Sequence, residues 1–132
     1  MSGTTLYGYS INEGLEYNIT SRTLINVNNG KIKRLGKTKA RLFAYLLANA
    51  ERNYILDEDI FIDVFENNGL RCSKSYLWEM IRQLHLAFIS VGYVRAPVRR
   101  YEHKGYLVDS VNVVEIYIIK KTNKSISMEV ET

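Results

Sequence analysis

Between residues 74 and 104 the chain sets basic and amide side chains around one amphipathic stretch. Leu77, Ile81, Leu84 and Phe88 recur at helical spacing, so a helix over about 74–90 would bury that face. Its opposite face would present Ser75, Trp78, Glu79, Arg82 and Gln83, with Lys74 at the amino end. Arg82 can offer a guanidinium fork to O6 and N7 of guanine, and the Gln83 amide can pair with N6 and N7 of adenine. Glu79 has two readings: an acceptor for a cytosine amino group, or an intrahelical partner for Arg82 three residues on, which is the plainer one. Trp78 either packs on a sugar or thymine methyl or is buried under a neighbouring loop. The segment VRRYEHKGYLV predicts a hairpin over 98–108, turning near Lys104-Gly105. Its Arg99, Arg100, His103 and Lys104 could meet phosphates or a narrow minor groove, where counterion release and groove potential favour positive charge. Lys104, at the expected turn, is the candidate for insertion.

Other chemistries find less support. His85 and His103 have no Cys or acid cluster at metal-ligand spacing, so no zinc site is expected. Cys72 stands near Arg71 and Lys74, which could lower its pKa, but an inert thiol is the simpler reading. There is no Gly-rich phosphate loop, no nucleophile elbow and no acid pair with a companion His in order, so neither catalysis nor a cofactor is expected.

The elements that would position these residues can be read from periodicity. Residues 5–35 contain four short β-branched or Tyr-rich runs, TLYGYSI, LEYNIT, TLINV and KIKRL, with Asn28-Asn29-Gly30 a hairpin signal between the last two. From Lys37 the period changes. Phe43, Leu46, Leu47 and Ala50 predict a first helix over about 38–50. Asp57 is the expected cap of a second helix, with Glu58 and Asp59 at its positive end, Phe61, Ile62 and Phe65 buried, and a stop near Asn67-Asn68-Gly69. The third helix would start after Ser73 or Ser75 and stop before Gly92. Residues 111–119 read as a further strand, and KKTNKSISMEVET as a polar tail or final edge strand.

A chain of 132 residues can bury one real core. The expected division is a domain over 1–110, with a C-terminal strand and polar tail over 111–132. Composition is that of a soluble globular protein, 46% hydrophobic and 24% charged. No apolar run approaches the roughly 20 residues needed to span a bilayer, no secretory signal opens the sequence, and one Cys precludes an internal disulfide; a cytoplasmic location is expected. The net charge of +4 is unevenly placed. Residues 31–41 hold six cations and no acid, residues 95–104 hold four cations against Glu102, and residues 57–66 hold five acids, so separate basic and acidic faces are expected.

The order sheet, three helices, basic hairpin, together with NITSRTLINVNNGKIKRLGKTKARLFAYLLANAERNYILDEDIF, LWEMIRQLHLAF and RYEHKGYLV, resembles the winged-helix DNA-binding domain of the OmpR/PhoB family over roughly residues 15–108. That resemblance implies an α+β winged helix-turn-helix: an N-terminal antiparallel sheet, three helices and a C-terminal β-hairpin wing. It also implies a bacterial transcription regulator that sets the third helix in the major groove of double-stranded DNA and binds as a dimer or in tandem. Two departures qualify it. Leu84 is followed by His85, Leu86 and Ala87 where the family carries basic residues, and no receiver domain precedes the sheet, which narrows the likeness to ToxR- and CadC-like regulators. The alternative is a winged helix that meets RNA polymerase or a partner regulator through Trp78 and the acids of 57–66. RNA is a third candidate ligand.

Overall fold

The computed structural model describes residues 3–109 and 112–120. The fold is α+β, built from antiparallel sheets and three helical segments. The four N-terminal runs form β1 (Gly3–Ile11), β2 (Leu15–Asn18), β3 (Thr23–Asn26) and β4 (Ile32–Arg34). Helix α1 (Lys37–Ala48) follows, then β5 (Ile55–Leu56) and a second helical segment, α2, which begins at Asp57–Ile60. Helix α3 (Lys74–Ser90), the hairpin β6 (Val98–Tyr101) and β7 (Gly105–Val108), and β8 (Val113–Lys120) complete the order. The polar segment from residue 121 lies outside the described residues.

One sheet runs β4-β3-β2-β1-β8 and the other β5-β7-β6. The strand expected at 111–119 therefore joins the N-terminal sheet, pairing with β1 from Ile11↔Val113 to Gly3↔Lys120. Alternation along β1, β2 and β3 turns Tyr9, Ile11, Leu15, Tyr17 and Leu24 into the core. There they meet α1 through Leu42, Phe43 and Leu46 and α3 through Leu77, Ile81, Leu84 and Phe88, the four positions expected from spacing. An edge-to-face chain of rings joins the three layers: Tyr17 to Phe43 at 4.9 Å and Phe43 to Phe88 at 5.5 Å.

Both ends of α3 are fixed. The Ser73 hydroxyl accepts from the Tyr76 amide at 3.1 Å, which caps the amino end. At the other end the buried Asn26 amide donates to the Val91 carbonyl at 2.8 Å, and Asn29 donates to the same oxygen at 3.1 Å. The β3–β4 hairpin thus holds the exit of α3, and the Val91 carbonyl satisfies the Asn26 amide, which would otherwise be buried without a partner.

Three local expectations need correction. Asp57 does not cap α2: Leu56 takes that position, and the Asp57 carboxylate turns to the hairpin instead. The second helical segment is irregular, passing through a π turn over Phe61–Phe65 and a 3-10 turn over Glu66–Asn68 before Gly69 ends it at φ 74°. The hairpin turns at Glu102-His103, both at positive φ, with the Lys104 amide donating to the Tyr101 carbonyl at 3.0 Å. Gly105 is not a turn residue. It pairs with Leu56, where β5 crosses β7 so closely that a Cβ would collide with the Ile55 carbonyl.

Candidate nucleic-acid interface

Because α3 buries Leu77, Met80, Ile81, Leu84, Ala87 and Phe88, its other side is left outward. Lys74, Ser75, Trp78 and Arg82 are exposed and Glu79 and Gln83 half-buried, as the helical spacing predicts. Trp78 is 58% exposed, which decides between its two readings in favour of an open ring. The hairpin stands beside this face. Between them lies a groove of about 350 Å³ lined by Lys74, Ser75, Trp78, Arg100, His103 and Tyr106. A smaller recess of about 110 Å³, reaching Arg82 and His85, continues along the helix. Lys74, Ser75, Trp78, Arg82, Arg100 and His103 are thereby brought together from two elements.

Within that set the polar side chains are organised. Glu79 accepts from Arg82 Nε at 3.0 Å and Nη2 at 2.8 Å, and from Gln83 Nε2 at 3.1 Å. Hydrogen bonding to Arg82, then to Gln83, holds the Glu79 carboxyl down at about 2. Gln83 Oε1 in turn accepts from Lys39 Nζ at 2.9 Å. The intrahelical pair is therefore the geometry adopted by Glu79. It occupies the Nε side of the guanidinium and leaves Nη1 without a partner among the described residues, so the end of the fork still points outward.

Arg100 and Lys104 are engaged more tightly than an open hairpin would suggest. Arg100 donates to Asp57 Oδ1 at 2.7 Å and Oδ2 at 2.9 Å, and its guanidinium lies 4.7 Å from the centre of the Tyr106 ring. Asp57 is 1% exposed, its amide donates to the Lys104 carbonyl at 3.0 Å, and Lys74 Nζ sits 3.7 Å from its carboxylate. Burying a carboxylate without partners is costly, so Arg100 serves first to neutralise Asp57. Lys104 folds back over Tyr54 and Tyr101, rings stacked at 4.6 Å, and lies 3.6 Å from Glu102. His103, at the tip, and Arg99, on the outer face, are exposed and form no ion pair among the described residues.

The structure also adds residues that sequence reasoning undervalued. Lys33, Arg34 and Lys39 share a second groove of about 330 Å³ with Gln83, Leu86 and Ser90. The first basic run thus flanks α3, and Lys39 touches one of its candidate readers. The i,i+4 logic that operates within a helix carries no information about this contact, which joins residues 44 positions apart. His85 is a strut: its Nε2 donates to the Val98 carbonyl at 3.1 Å and ties α3 to β6. The acidic block is largely engaged, with Asp57 on Arg100, Asp59 on Arg52 at 2.9 Å and Asp63 accepting from Tyr45 at 2.7 Å. Cys72 is partly buried, and burial and the nearby Asp57 push its thiol up to about 11, so it is protonated and unreactive at neutral pH. Among the described residues no helix is long and apolar enough to cross a membrane. No protein-family model matches the chain, and no curated protein matches it.

Proposed function

We propose that this chain is a sequence-reading, winged-helix DNA-binding regulator of the OmpR/PhoB type, closest in kind to the receiver-less ToxR- and CadC-like proteins, acting in the cytoplasm and without catalysis. Helix α3 enters the major groove, and the β6–β7 hairpin rests on the adjacent backbone and minor groove. The observation that carries this reading is the convergence of Lys74, Ser75, Trp78, Arg100 and His103 on one groove between a core-anchored helix and a basic hairpin. The order of a sheet, α1, a short strand, α2, α3 and a hairpin supports the fold half of the proposal.

Roles follow from what each side chain is free to do. Arg82 reads guanine with the end of its fork while Glu79 holds its side. Gln83, fixed by Glu79 and Lys39, reads adenine or sets the register. Lys74, Arg99 and His103 contact phosphates or the minor groove, with Lys33 and Arg34 on the far flank. Arg100 and Lys104 shape the hairpin. The test is selection from a random duplex pool at two salt concentrations, beside Arg82→Ala. Enrichment of a motif that the variant loses supports the proposal, and salt-insensitive or absent binding removes it.

A second reading draws on a different observation. Leu86 and Ile89, on the outward side of the C-terminal half of α3, are 48% and 55% exposed where a phosphate-facing helix would carry cations. That stretch suits contact with RNA polymerase or a partner regulator, and both readings can hold on one helix. The five-acid block fits such a contact less well, because Asp57 is buried.

A further inference from the structure

We propose that β8 is the seam of a homodimer, in which the β8 strands of two copies pair antiparallel and join their five-stranded sheets into one. Strand β2 accompanies β1 only over Gly8–Ile11, so Gly3–Leu6 of β1 and Tyr117–Lys120 of β8 continue as a two-stranded ribbon. An isolated two-stranded ribbon is marginal in water. This one carries Tyr117, Ile118 and Ile119 at 52%, 45% and 64% exposure. Consecutive strand residues point to opposite faces, so the ribbon is apolar on both. A partner lying on one face would leave the other wet, whereas a strand added at the edge supplies cross-strand neighbours to both. Among the described residues nothing pairs with the outer edge of β8.

The other edge of the sheet shows what a guarded edge looks like. Strand β4 is three residues long and carries Lys33 and Arg34, the short and charged form that discourages pairing. Pairing β8 on β4 would be heterologous and would propagate into open arrays, whereas β8 on β8 closes as a two-fold pair. Antiparallel pairing keeps the helices of both copies on one face of the joined sheet, the arrangement that a two-fold axis normal to the sheet produces. A two-fold axis normal to the sheet sets one residue opposite itself. Centring on Ile118 places Tyr117 opposite Ile119 and keeps the two Glu115 apart; centring on Glu115 would oppose two carboxylates. None of the groove residues of α3 or the hairpin lies in β8, so the seam leaves that face open and stands whether or not the chain binds DNA.

Sedimentation equilibrium of the full chain should give twice the 15.3 kDa chain mass. Ile118→Lys and Ile118→Glu, at an exposed position that leaves the core intact, should each sediment as monomers with unchanged circular dichroism, and mixing the two should restore the dimer. With Cys72→Ser as background, Ile118→Cys should be captured by a short bis-maleimide and Ile32→Cys, on the β4 edge, should not. A monomeric parent chain overturns the proposal, including the case in which residues 121–132 protect the β8 amides within one copy. So does a dimer that survives Ile118→Lys.

Discussion

At the scale of single residues, the Glu79, Arg82 and Gln83 cluster decides what the helix can read. Removing Arg82 loses both the guanine fork and the partner of Glu79. Arg82→Ala should therefore cost on the order of 1–3 kcal/mol on the preferred site and relax preference at one base pair, measured by fluorescence anisotropy on single-base variants of that site. The pair also has a definite pH signature. The Glu79 carboxyl is depressed in the folded state to about 2 from an ordinary 4.5, so the contribution of the pair is fully present above the ordinary value and is lost as pH falls through the folded one. A carboxyl carbon titration should place the Glu79 midpoint near 2 in the parent chain and higher in Arg82→Ala, with the Gln83 bond holding back a full return. A midpoint unmoved by the substitution would mean that Arg82 does not hold Glu79 in solution. Arg99→Ala probes the other kind of contact. Exposed and outside any ion pair seen among the described residues, it should weaken binding to every sequence alike and flatten the salt slope by about one unit.

At the scale of elements, the clasp between α2 and the hairpin holds the two sides of the groove in register. Asp57 reaches Arg100 through two hydrogen bonds and Lys104 through its own amide, while Lys74 approaches from α3. Arg100→Ala leaves the buried Asp57 carboxylate with only the exposed Lys74 at 3.7 Å and should destabilise the fold by about 3 kcal/mol, the low end for breaking a buried pair because the arginine is one-third exposed. Urea unfolding of Arg100→Ala, Asp57→Ala and the double variant should show strong coupling, with the double variant far less destabilised than the sum of the singles. Simple additivity would deny the clasp. This is also where legibility in the sequence stops. The strand runs, the α1 and α3 core faces, the Ser73 cap and the Asn-Asn-Gly turn were readable because each is a local pattern of period or turn chemistry. The Asp57 assignment failed because a carboxylate at a helix start satisfies the cap rule and the ion-pair geometry equally well, and only the distant Arg100 discriminates. Gly105 misled in the same way: its lack of a Cβ serves the crossing of β5, while Glu102 and His103 adopt the left-handed turn without glycine. Lys39 beside Gln83 and β8 beside β1 are likewise long-range facts.

For the whole molecule, the disposition of charge matters more than its sum. A net charge of +4 is modest, yet Asp57 is buried and paired and Asp59, Glu79 and Glu102 are paired at the surface, while exposed cations remain on both sides of α3. Lys33 and Arg34 stand on one flank and Lys74 on the other, with Arg99 exposed on the outer face of the hairpin. If these four are the phosphate contacts, about 0.9 counterions released for each gives a slope of log affinity against log salt of about −4 per chain. Replacing all four by Gln should flatten that slope to near zero while leaving the fold intact, because none of them is buried and Arg100 still makes both hydrogen bonds to Asp57 when Lys74 is lost. The same quadruple variant should retain whatever contact Leu86 and Ile89 make with another protein, so loss of DNA binding with retained partner capture would assign the two activities to different parts of one helix. A steep slope that persists in the quadruple variant would instead move the phosphate contacts to the remaining cations of the 31–41 run, Lys31, Lys37, Lys39 and Arg41, and would turn the docked molecule so that the start of α1, not the hairpin, lies on the backbone.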